Sequence, residues 1–234
     1  WKKHIRGAFF TQSVFLITDR KNHIYNRRNV VKWRKRKSAE NGETADLEKE
    51  ETNMYFGVQM YGVSKEWKQD PEGFLKKIYE AGYRQIEPCL GFRVDARDYG
   101  FWIPEDLEQA MPLLAKYHIE VHAVHIFLDE YHYERELAIL TELAQKYHIS
   151  WFVVKSPARL TKDVLDETAA RYRELAEELE KAGAGLLIHN EKEDICIRVN
   201  GKTAYEYLLE ACGEKVGAEV DAGWMYCGGV DPEE

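Results

Sequence analysis

From Met54 onward the sequence alternates between six short apolar runs of strand character and five longer amphipathic runs of helix character. The runs are YFGVQMYGV, then a helix from Pro71 to Glu80; YRQIEPCL, then Pro104 to Lys116; IEVHAVHIF, then about Glu130 to Lys146. ISWFVVKS precedes a helix from Lys162 to Lys181, AGLLIHNE precedes one from Thr203 to Ala211, and VGAEVDAG closes the series. Strands joined by helical crossovers lie parallel and bury both faces, so this pattern predicts an α/β fold on a parallel sheet. The helix ends rhyme as EAGY, KYHI, KYHI and KAGA. Gly82 and Gly183 suit the left-handed position that stops a helix, and His118 and His148 hold the equivalent place, which gives both imidazoles a structural explanation.

An eight-unit (β/α)8 barrel takes about 250 residues, roughly 30 per unit. Residues 54–234 give room for six, and Asp231-Pro232-Glu233-Glu234 has the chemistry of a helix start, as at Asp70-Pro71-Glu72-Gly73. The expectation is an incomplete TIM-barrel type of about six βα units; a six-strand doubly wound sheet is the alternative.

Residues 1–53 are of a different kind. Residues 1–37 carry 12 Lys or Arg against Asp19 alone, and residues 38–53 carry six acids against Lys49. They read as a basic head and an acidic linker, poorly structured or non-native. A purine-rich codon run writable for Lys49-Glu50-Glu51 makes Met54 the expected natural start. The net charge of −8 leaves residues 54–234 with 20 bases and 34 acids, a balance unsuited to nucleic acid. Only a genuine head would supply a nucleic-acid arm. No apolar run is long enough to span a bilayer, so no membrane partner is expected. Cys89, Cys196, Cys212 and Cys227 lack metal-finger spacing and fit a reducing, cytoplasmic setting.

Parallel α/β folds place their sites at the C-terminal ends of the strands. Those ends are polar here: Gln59 and Tyr61, Glu87, His122 and His125, Lys155, His189-Asn190-Glu191, then Glu219 and Asp221. Carboxylates, imidazoles and an amine on one rim suit metal-assisted or acid/base chemistry on a polyol. Glu87 is a candidate base. His122 and His125 differ in strand parity, and His125 is the one expected to face the axis. Lys155 is a candidate for binding an oxyanion. Imidazole and carboxylate at His189, Glu191 and Asp221 suit a divalent ion such as Mn, Mg, Co or Zn. No glycine-rich phosphate loop or nucleophilic serine elbow is present.

GVQMYGVSKEWKQDPEGFLKKIYEAGYRQIEP resembles the opening of the sugar phosphate isomerase/epimerase family, the xylose isomerase-like barrels. EVHAVHIFLD is similar to that family's third strand, GLLIHNE to its YHNH strand, and AEVDAGWMYCGGVDPEE to its ELDTYWVxxAGVDPxE segment. The likeness covers residues 54–234. It implies a (β/α)8 barrel with one divalent metal, acting on a sugar or polyol as an isomerase, epimerase or dehydratase through an enediolate-type intermediate. By this likeness Asp221 and His189 or Glu191 are metal ligands, with Glu87, His125 and Lys155 on the substrate and Tyr61, Asn190 and Trp224 binding it. Glu191 stands where the YHNH pattern has its second histidine, and the family's last two strands have no counterpart. The expected metal shell is therefore incomplete, and the chain is expected to be inactive and prone to form homo-oligomers through open sheet edges. A non-catalytic sugar-binding barrel is the alternative function, and an endonuclease-like barrel is disfavoured by the acidic charge.

Overall fold

The computed structural model describes residues 54–128 and 132–230, with side chains from residue 57 on, and the backbone of Leu16–Thr18. In chain order its elements begin with β1 (Leu16–Thr18), β2 (Met54–Gln59), α1 (Ser64–Gln69) and α2 (Pro71–Glu80). Then come β3 (Gln85–Glu87), β4 (Cys89–Gly91), α3 (Pro104–Lys116), β5 (Glu120–Val121), β6 (Ala123–Phe127) and α4 (Tyr133–Tyr147). The series ends with β7 (Trp151–Lys155), α5 (Lys162–Lys181), β8 (Gly185–His189), α6 (Lys192–Cys196), β9 (Arg198–Val199), β10 (Lys202–Thr203), α7 (Ala204–Cys212), β11 (Val216–Glu219) and α8 (Ala222–Cys227).

The six expected strands are present and parallel, but the second and third are each broken in two. Gln85–Glu87 pairs with β2 and β5, and Cys89–Gly91 pairs with β6. Pro88, which has no N–H to donate, stands at the first break. Its carbonyl still accepts from the His125 N–H at 3.0 Å. The second break falls at His122, whose carbonyl accepts from the N–H groups of both Ser150 and Trp151. Two sheets result, β1-β2-β3-β5 and β11-β8-β7-β6-β4, with a β9–β10 hairpin apart. The head residues Leu16–Thr18 pair antiparallel with Met54–Phe56. The rest of the expected unstructured head and linker lies outside the described residues, as does the helix announced at Asp231.

Helix bounds follow the local chemistry. Asp70 accepts from the Gly73 N–H at 2.9 Å ahead of Pro71, and Thr203 and Glu206 bond each other's backbone N–H groups in a capping box. His118 and His148 hold φ of 51° and 56°, the left-handed stop expected of them, and both are exposed. The first strand was expected to reach Val63; it ends at Gln59, and Tyr61–Val63 forms a single 3-10 turn.

Two layers of core position the site. Outward strand residues, among them Val124, Phe152, Val154, Leu186 and Ile188, pack under Leu165, Leu175 and Leu179 of α5 and Leu208 of α7. Each fully buried side chain of this kind stabilises the fold by ~1.5–3 kcal/mol. A smaller inward layer holds Ala123 and Val153, with Trp151 and Leu187 against them. Gly185 makes room for that layer, since a Cβ there would fall 2.3 Å from Cζ3 of Trp151.

Candidate functional site

The inward face turns polar one step above this apolar plug. Strand register sets Lys155 beside His189 and His189 beside Glu219, while Cys89 pairs with His125 and Gln59 with Glu87. Glu87 is fully buried, and His125 and Glu219 are 6% and 9% exposed. The three come from β3, β6 and β11, and one ligand atom of each lies within 4.8 Å of the others. Nδ1 of His125 stands 3.8 Å from Oε1 of Glu87.

These buried groups find few partners within the protein. Both ring nitrogens of His125, Nδ1 of His189 and Oε2 of Glu219 lack a donor or acceptor from the surrounding protein, and Glu87 meets only the Glu219 carboxyl. Buried polar atoms are paired in the great majority of cases, so such a concentration marks a place built for something else. Burial pushes the Glu87 carboxyl up to about 8. Burial, then the neighbouring Glu87, raises Glu219 well above the carboxylate range. Burial, then His189 and Lys155, pull His125 down to about 3, so its imidazole is neutral. Carboxyl groups held protonated and an imidazole held neutral fit a divalent cation, whose binding would replace the displaced protons.

A second pair lies beside this cluster. Nε2 of His189 is 3.5 Å from Oδ2 of Asp221, and the His189 and His125 rings meet edge to face at 5.3 Å. Burial lowers His189, but Asp221, Glu219 and Glu191 outweigh it and the net pKa is raised. Asp221 also caps α8, its Oδ1 accepting from the Trp224 N–H at 2.8 Å. Lys155 reaches Oε1 of Glu191 at 3.8 Å and stands over the Phe127 ring. An aromatic stack of Tyr61, Phe101 and Phe127 runs from the rim down to His125.

The structure thus groups the expected residues differently. His189 and Asp221 meet, but Glu191 turns to Lys155 and to the start of α6 rather than joining them. Asn190 is fully buried, with both ends of its amide on the Asp221 backbone. Tyr61 and Trp224 are exposed on the rim. Glu219 is the group that sequence reasoning named at a strand end without giving it a role. The period of two put it on the same face as Asp221, and the signal that separates them is the Asp-Ala-Gly-Trp helix start after Val220, which takes Asp221 out of the strand.

No protein-family model matches the sequence, and no curated relative matches it. Solved structures do. A sugar phosphate isomerase/epimerase from Parabacteroides distasonis superposes with a TM-score of 0.61 at 21% identity, over 75% of this chain and 68% of that one. A xylose isomerase domain containing protein from Salmonella typhimurium gives 0.53 at 13% identity, over 74% and 62%. The IOLI protein with a binding zinc atom gives 0.51 at 16% identity, over 76% and 66%. The chain has the fold of the xylose isomerase-like TIM barrels, and it spans about two thirds of the length of these proteins.

Proposed function

We propose that the chain carries the site of a metal-dependent sugar or polyol isomerase, epimerase or dehydratase, working in the cytoplasm through an enediolate-type intermediate. The observation that carries this reading is the set of carboxylate and imidazole atoms of Glu87, His125, His189 and Glu219, buried at the C-terminal ends of parallel strands with few partners outside their own cluster. Enediolate chemistry needs a base beside the carbon that loses its proton, and stabilisation of the negative oxygen that follows. A divalent ion held among these groups by carboxylate and imidazole would supply charge neutralisation at that oxygen. Glu87, through a carboxylate oxygen the ion leaves free, is the group able to take and return a proton, while His125, pulled down to about 3, stays a neutral imidazole that can hold the ion or donate from a ring N–H. Lys155, on the open side with its ammonium near Glu191, orients a negative or hydroxyl oxygen of the substrate. The Tyr61, Phe101 and Phe127 stack offers an apolar wall to the C–H face of a sugar. The four cysteines are free, in keeping with a reducing setting, and no described helix is long and apolar enough to cross a membrane.

The test is proton exchange. The likeness implies an incomplete metal shell and an inactive chain, but the buried cluster supplies ligands of its own, so the chain, loaded with Mn2+ and incubated in D2O with a panel of ketoses, aldoses and hydroxylated keto-acids, is expected to exchange a C–H next to a carbonyl in at least one of them, seen by NMR. Chelation should stop the exchange. No exchange and no saturable binding of any panel member would sink the reading.

A further inference from the structure

We infer that the chain's divalent cation site is Glu87, His125 and Glu219, next to the His189–Asp221 pair, and that a cation there ties the two sheets together across the barrel axis. This rests on the metal-dependent reading above and fixes where the metal sits.

Three observations carry it. Glu87 ends β3 in one sheet, while His125 and Glu219 lie on β6 and β11 of the other. Among the described residues this is the group of three whose ligand atoms all come within 4.8 Å of one another. His125 Nδ1 and Glu87 Oε1, 3.8 Å apart, are spaced as two donors that can each lie ~2.0–2.2 Å from a shared ion. Finally, both nitrogens of the His125 ring, on a side chain at least nine-tenths buried, lack a hydrogen-bond partner, and fully buried Glu87 has only the Glu219 carboxyl beside it. An acidic cluster alone would be ordinary; a buried imidazole aimed into it with neither nitrogen paired is not.

The competing set is engaged elsewhere. Asp221 divides its carboxylate between the cap of α8 and His189, and Glu191 faces Lys155. Two carboxylate oxygens and one imidazole nitrogen mix hard and borderline donors, which favours Mn2+, Co2+ or Zn2+ over Mg2+. Three protein ligands leave open positions, as catalytic sites require. His189, its ring against that of His125, then faces the open positions rather than filling one.

The experiment titrates Mn2+ into the full chain after chelator treatment, by calorimetry and by thermal melting. One Mn2+ per chain is expected, with Tm rising as Mn2+ rises, because an ion that binds only the folded state stabilises it by mass action. Glu87→Gln, His125→Gln and Glu219→Gln should each weaken Mn2+ by at least the ~10–100-fold that loss of even an outer partner costs, and remove the Tm rise. His189→Gln and Asp221→Asn should keep both. Loss in the His189 and Asp221 variants alone, or in all five, overturns the placement while leaving the metal-dependent reading standing. No binding of Mn2+, Co2+ or Zn2+ overturns both. Should a substitution at the inner cluster prevent folding, the Co2+-loaded unsubstituted chain decides: paramagnetically shifted imidazole signals must belong to His125, and a shifted His189 without His125 defeats the placement.

Discussion

Asn190 and Asp221 are locked by a two-way pairing of a side-chain amide with a peptide group: Nδ2 of Asn190 donates to the Asp221 carbonyl at 3.1 Å, and the Asp221 N–H donates to Oδ1 at 2.8 Å. The amide spans from the end of β8 to the turn after β11, so it fixes Asp221 relative to His189. Asn190→Ala should cost about 2 kcal/mol by leaving backbone groups unpaired. Asn190→Asp should cost more, since a carboxylate cannot donate to the Asp221 carbonyl. Chemical denaturation of the three proteins checks both orders.

Lys155 stands half in solvent, and its contact with Glu191 is that of an exposed pair worth ~0–1 kcal/mol. Lys155→Met should therefore leave Tm within a degree or two while slowing substrate C–H exchange by about tenfold or more, the weight of one oriented charge on a developing oxyanion. Equal exchange rates would remove Lys155 from the site.

Asp106 predicts the acid side of the stability curve. Burial pushes its carboxyl up, but two bonds from Arg97 and one from the Ile103 N–H outweigh that and hold it below the usual value of 3.8. A depressed folded pKa contributes stability that is present above the unfolded value and lost as pH falls through the folded one. Asp106→Asn should lower stability by about 1 kcal/mol at pH 7, discounted for partial exposure, and the difference should close as pH falls through the depressed folded value. Thermal melts at a series of pH values read it directly.

His148 ends α4 with φ of 56° and an exposed side chain. A left-handed backbone costs a non-glycine residue ~1–2 kcal/mol, partly offset by the extra freedom glycine has when unfolded. His148→Gly should raise stability by several tenths to ~1 kcal/mol, without any effect on metal or sugar binding.

What the sequence made legible, and what it hid, divides along physical lines. The bounds of α2, α3 and α5 were readable because Asp70-Pro71 and Pro104 start helices and Gly183 ends one. These are local rules needing no tertiary information. The short helices α1, α6 and α8 were missed because five or six residues hold too few turns to display a period. The breaks at Pro88 and His122 were hidden for another reason. Each run is short enough to read as one strand, and the break shows in the pairing of its two halves with different neighbours. The site suffered most at strand six. Alternation shows which face a residue takes but not where pairing stops, so Glu219, the last paired residue, was passed over in favour of Asp221, which begins the next helix.

Tyr205 of α7 reaches in from the helix layer, and its hydroxyl lies 2.8 Å from the Ile188 carbonyl and 3.2 Å from that of Glu219. The grip is on backbone oxygens, from behind, at the two strand ends whose side chains, His189 and Glu219, face the axis. Alignment of these strands is thus secured by an atom that has no view of the pocket. Inward side chains can be exchanged one by one without the strands sliding past each other. A lineage could explore new substrates here while the scaffold stayed in register.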